Sequence, residues 1–115
     1  MTLSEFRALA LSFPETVEQP HFDITSFRVA KKIFATMNAK ENRATLRFSE
    51  IDQSVFTAMA PGVIQPVPNK WAKYGWTNVD LAAVDPELLK DALITAYCEV
   101  APKRLSDPFT GADEV

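Results

Sequence analysis

Few side chains in this chain are equipped for covalent chemistry, and they are scattered. One histidine, His21, and one cysteine, Cys98, lie far apart in sequence. A nucleophile needs a base within hydrogen-bond reach, and nothing in the spacing brings His21 to Cys98. His21 follows Pro20 at a turn or strand start, where a structural hydrogen bond accounts for an imidazole. At about 100° per residue, Cys98 falls about 180° around the last expected helix from Leu89. That position suits an inert, partly exposed thiol rather than an activated one. No CxxC or HxxxH spacing occurs and no acidic cluster has ligand spacing, so no metal centre is expected. The three glycines, Gly62, Gly75 and Gly111, are too dispersed for a phosphate loop or a dinucleotide fingerprint. Without acid, base and nucleophile in register, the chain reads as a non-enzyme with no cofactor.

The segment Lys70-Trp71-Ala72-Lys73-Tyr74-Gly75-Trp76-Thr77-Asn78 is the unusual one. It interleaves three aromatic residues with two lysines within seven positions. If Thr77, Val79 and Leu81 face a core, Trp76 and Asn78 face the other side of the same strand. Aromatic rings beside lysines suit base stacking with phosphate contacts. They also suit a protein interface, a small-ligand pocket, or closure of the core at one sheet end.

Charge follows a similar pattern. The chain has 12 Lys+Arg against 15 Asp+Glu, a net charge of −3. Between Arg28 and Arg47, however, Arg28, Lys31, Lys32, Lys40, Arg43 and Arg47 face the single acid Glu41. That segment carries +5 and the remainder −8. Each charge acts over about 8 Å at physiological salt, so an acidic protein can still present a basic face. A plain solvated sheet face carries such residues as well. With 115 residues and 47% hydrophobic composition, a single domain with its own core is expected. One cysteine rules out a disulfide scaffold. The start, Met1-Thr2-Leu3-Ser4-Glu5, lacks a secretory pattern, and no run approaches the roughly 20 apolar residues of a membrane span. A cytoplasmic location away from the membrane is the resulting expectation.

The elements that must position these residues follow from periodicity. Thr2 and Glu5 match a capping box, and Leu3, Phe6, Leu9, Ala10 and Phe13 mark a helix over 3–12, ended by Pro14. Strands are expected over 25–29, 33–38 and 43–48, with a turn at Ala30-Lys31-Lys32. The last strand alternates cleanly: Ala44, Leu46 and Phe48 one way, Arg43, Thr45 and Arg47 the other. Ser49 caps a second helix over 50–60, with Ile51, Val55, Phe56 and Met59 expected inside. A short edge strand at 64–67 contains Pro66. A loop at 69–74 and a strand at 75–81 follow. Asp85-Pro86-Glu87 begins the last helix, whose inner stripe is Leu89, Ala92, Leu93, Ala96 and Val100. The expected fold is α+β, a two-layer α-β(3)-α-β(2)-α domain over 1–105 with helices on one face of an antiparallel sheet. Residues 106–115 are expected to form a flexible tail.

Several stretches resemble the MmcQ/YjbR family of small bacterial proteins. They are Phe13-Pro14-Glu15-Thr16-Val17-Glu18, the Phe27–Ala35 hairpin, Gly75-Trp76-Thr77-Asn78-Val79 and Ala96–Lys103. The resemblance reaches to about Leu105 and implies the α-β(3)-α-β(2)-α fold, similar to type III secretion chaperones. It also implies DNA binding through a double-wing arrangement. Where many members carry His-Met-Asn-Lys, this chain has Val67-Pro68-Asn69-Lys70 and keeps only the last two residues. No role resting on that histidine transfers.

Two functions are therefore expected in competition. In the first, DNA binds the open sheet face and hairpin through Arg28, Lys31, Lys32, Arg43, Arg47, Asn69, Lys70, Trp71, Lys73 and Trp76. In the second, a chaperone-like fold serves as a protein-interaction module, for a partner or a second copy, without nucleic acid.

Overall fold

The computed structural model describes residues 1–110. The capping box is formed: the Glu5 N–H donates to Thr2 Oγ1 at 3.0 Å and the Thr2 N–H to Glu5 Oε1 at 2.9 Å. It starts α1 (Leu3–Leu11), which is followed by β1 (Val17–His21), β2 (Ile24–Val29), β3 (Lys32–Asn38) and β4 (Arg43–Arg47). Then come α2 (Glu50–Met59), β5 (Ile64–Pro66), a 3-10 turn (Lys70–Tyr74), β6 (Trp76–Asp80), α3 (Pro86–Val100) and α4 (Lys103–Thr110). The strands form one antiparallel sheet in the order β1-β2-β3-β4-β6-β5.

Register assigns the two faces. Phe27, Ala35, Leu46 and Thr77 are successive cross-strand partners and make a fully buried row. Ser26, Thr36, Thr45 and Asn78 make the parallel row on the opposite face. A bulge between β2 and β3 leaves Phe34 as an extra residue, so Phe34 and Ala35 are both buried. The helices pack on the first face. Phe6 of α1 meets Phe27 edge-on at 5.9 Å. Tyr97 of α3 stacks on Phe13 at 4.8 Å and meets Phe34 edge-on at 5.4 Å. Phe56 of α2 stacks on Phe48 at 5.0 Å. The α+β sheet-and-helix layering is as expected.

The differences from expectation have identifiable causes. The sheet has six strands rather than five. The additional one, β1, is an edge strand that contains Pro20 and shows no buried alternation, so it carries no period-2 signal. On α2, Ile51, Val55 and Met59 face outward, Ile51 with 76% exposure, and only Phe56 of the expected stripe is buried. The helix is turned so that Gln53 reaches the β6 backbone, described below. The expected flexible tail begins instead as α4, with Ser106 buried and the Phe109 ring 5.6 Å from Phe13 and 5.7 Å from Tyr97. Arg104 adds a bidentate bond to Glu15 at 2.7 and 3.1 Å, which holds the Glu15 carboxyl below its ordinary range. Residues 111–115 of the expected tail lie outside the described residues.

Tyr97 joins three elements, because its buried ring also sends its hydroxyl to the Pro14 carbonyl at 2.8 Å. Tyr97→Phe keeps the ring and leaves that carbonyl without its donor. We expect a loss of about 1–2 kcal/mol in urea unfolding, against about 3–5 kcal/mol for Tyr97→Ala.

Candidate nucleic-acid interface

The outward face of the sheet carries Arg28 and Arg47, with the basic β2–β3 hairpin beside them. Alternation along β2 and β4 puts Arg28 and Arg47 on that face, where Arg28 lies opposite Ile33 and Arg47 opposite Trp76. The β2–β3 loop is two residues, Ala30 and Lys31, both left-handed with φ of 51° and 69°. Two-residue hairpin loops require that geometry because it matches strand twist. It carries exposed Lys31, and exposed Lys32 begins β3 beside it.

The aromatic segment approaches the same face from the β6-β5 edge of the sheet. Asn69 Oδ1 accepts the Trp71 N–H at 2.9 Å and starts the 3-10 turn. Gly75 ends it in a left-handed conformation with φ of 93°. A Cβ at Gly75 would stand 1.7 Å from the Phe48 carbonyl oxygen, so only glycine fits. Gln53 Nε2 donates to the Ala72 carbonyl, the Trp76 carbonyl and Thr77 Oγ1 at 3.0, 3.2 and 3.1 Å. The Thr77 hydroxyl donates to the Gly75 carbonyl at 3.0 Å. These bonds tie the backbone of the aromatic segment to α2 and β6.

Each of those rings carries a cation. Lys70 Nζ lies 5.6 Å from the Trp71 centroid, Lys73 Nζ 5.2 Å from Tyr74, and the Arg47 guanidinium 5.8 Å from Trp76. Arg47 is oriented further by its Nε bond to the Tyr74 carbonyl at 2.6 Å. Among the described residues, Arg28, Lys31, Lys32, Arg47, Lys70 and Lys73 make no ion pair with a carboxylate. The ion pairs Arg7–Glu18 and Arg104–Glu15 use other arginines.

Beside the cluster the face is concave. A cavity of about 340 Å³ lies over the polar row, lined by Thr36, Thr45, Ile24, Ile33, His21, Val67, Asn69, Trp71 and Trp76. Of the expected site residues, Asn69, Trp71 and Trp76 line it, while Lys70 and Arg47 pack on its two indoles. A second recess of about 420 Å³ brings Lys32, Arg47 and Trp76 together with Ile33, Val100 and one acid, Glu99. Arg43 stands apart. It lies four residues before Arg47 on β4, about 13 Å away, opposite Asp80 and in a polar recess with Glu41. Its Nε is buried without a hydrogen-bond partner among the described residues.

The other walls of the cavity, from His21, Ile24, Ile33 and Val67, were not among the expected site residues. His21 reaches the cavity because β1 pairs with β2 at His21–Ile24, and β1 itself was not expected. Phe22, at the tip of that turn, is 92% exposed, with its ring 4.9 Å from His21. Gln53 had no signal beyond a polar position in a helix. Thr36 and Thr45 were in principle readable from strand alternation.

Cys98 is half-buried with its thiol pushed up by burial, which disfavours the reactive thiolate. Among the described residues, no three His, Cys, Asp or Glu side chains gather as metal ligands. None of the described helices is long and apolar enough to cross a membrane.

A six-stranded antiparallel sheet with the described α-helices on one face and an aromatic β5–β6 connection on the other defines a two-layer α+β domain. The YjbR family model matches residues 11–99, and the chain belongs to the YjbR family. The fold is similar to the crystal structure of Deinococcus radiodurans protein DR2400, which carries the DUF419 family-model domain. The TM-score is 0.77 at 21% identity, over 96% of this chain and 88% of that one. No curated protein matches the chain.

Gly75→Ala tests what positions the cluster. The left-handed backbone and the clash with Phe48 together are expected to cost at least about 2 kcal/mol. Indole fluorescence should shift toward that of solvated tryptophan. Unchanged stability and emission would show that Gly75 does not hold the cluster.

Proposed function

We propose that the chain binds nucleic acid, DNA in the first instance, through the hairpin end of the outward sheet face. One observation carries the reading: Trp71, Tyr74 and Trp76 each lie against a cation that has no acidic partner among the described residues. Rings supply sequence-tolerant stacking and the cations supply phosphate contacts. Arg28, Lys31 and Lys32 extend the basic rim along the β2–β3 hairpin. Arg43, at the opposite sheet end, contributes little to it. The net charge of −3 opposes association only over a screened range, so binding is modest in affinity and local in origin.

A protein-interaction role is the second reading. It is favoured by the outward apolar stripe of Ile51, Val55 and Met59 on α2, because exposed stripes of this kind are common at interfaces.

Fluorescence anisotropy with a labelled single strand at low salt separates the two. Binding should weaken with salt at a log–log slope of about −0.7 per phosphate neutralised. Combined Lys32→Ala and Arg47→Ala should flatten the slope by about 1–2. Glu99→Gln, which removes the acid from the basic recess, should tighten binding. No binding at tens of micromolar, or binding that ignores salt, contradicts the nucleic-acid reading. Light scattering that finds a dimer dissolved by Met59→Lys would favour the second reading.

A further inference from the structure

We infer that the 340 Å³ cavity on the outward sheet face is a pocket for a single unstacked nucleobase. The inference rests on the nucleic-acid reading and narrows it: the preferred ligand is a strand with accessible bases rather than a closed duplex.

The cavity has the chemistry of a base site. Two indoles, Trp71 and Trp76, provide flat apolar surface, and Ile24 and Ile33 provide an aliphatic wall. Thr36 lies on the floor. It is nine-tenths buried, with 9% of its surface exposed, yet its hydroxyl makes no hydrogen bond among the described residues. The hydroxyl opens onto the cavity, where it can donate to or accept from the polar edge of a ligand. His21, on the wall, adds ring nitrogens that no described residue engages. Flat faces with a hydrogen-bonding edge are what a nucleobase presents. The volume, about 340 Å³, is at the small end of ligand pockets and is sufficient for a base.

Charge at the rim argues for a base that belongs to a strand. Lys70 lies over Trp71 and Arg47 over Trp76, so cations flank the cavity where the phosphates on either side of an inserted base would run. A base paired in a duplex has to be unpaired and extruded to enter, and this sets the preference.

Three probes at one low salt concentration test the pocket: a 12-residue single strand, the same length of abasic strand with all phosphates kept, and a closed hairpin duplex. The base-bearing strand should bind about tenfold tighter than either of the others. Ile33→Trp, which fills the cavity, should abolish that preference, so that base-bearing and abasic strands bind alike. Thr36→Val keeps shape and β propensity and removes only the hydroxyl. It should reduce the preference severalfold with an unchanged circular dichroism spectrum. Equal affinity for base-bearing and abasic strands overturns the pocket and leaves phosphate-based binding standing. Binding to neither strand overturns the pocket and the nucleic-acid reading together.

Discussion

The close approach of Gly75 to Phe48 is the constraint on which the outward face depends. At φ of 93° Gly75 places its backbone against the Phe48 carbonyl, and its own carbonyl accepts the Phe48 N–H at 3.0 Å. That contact joins the end of β4 to the start of β6. It also sets where the 3-10 turn stops, because the Gly75 N–H donates to the Ala72 carbonyl at 3.0 Å. Gln53 then grips the Ala72 and Trp76 carbonyls from α2. A helix on the core side of the sheet thereby positions aromatic residues on the outward side. The cost of this arrangement is visible on α2: aiming Gln53 at the sheet turns Ile51, Val55 and Met59 outward.

Electrostatics follows from the same geometry. A buried cation without a partner is costly, but Lys70, Lys73 and Arg47 lie over aromatic faces at the surface, where ring and water both solvate them. They therefore need no carboxylate to be stable. Among the described residues no carboxylate forms an ion pair with these cations, and Glu99 lies in the adjoining recess.

Local signals were legible wherever one residue and its near neighbours decide the outcome. The Thr2–Glu5 capping box, the Asp85-Pro86 helix start and the alternation of β4 all appear as read. Illegible features depended on partners distant in sequence. β1 is a strand only because β2 lies beside it, since its own residues are exposed and include Pro20. The rotation of α2 is set by Gln53 and backbone carbonyls 19 and 23 residues away. α4 is held by Phe109 against Phe13 and Tyr97 and by Arg104 on Glu15, none of which local polarity announces. The basic and aromatic residues were legible as types, and Arg28, Arg47 and Trp76 do share a face. The cavity between them was not, because its walls come from the sheet and from the β5–β6 connection together.

The most direct measurement is an amide and indole NMR titration of the intact chain with a short single-stranded oligonucleotide. The account predicts that the largest shifts fall on the indole N–H signals of Trp71 and Trp76 and on the amides of Thr36, Thr45 and Arg47. Shifts confined to α2 around Ile51, Val55 and Met59, or an unchanged spectrum at saturating oligonucleotide, would contradict it.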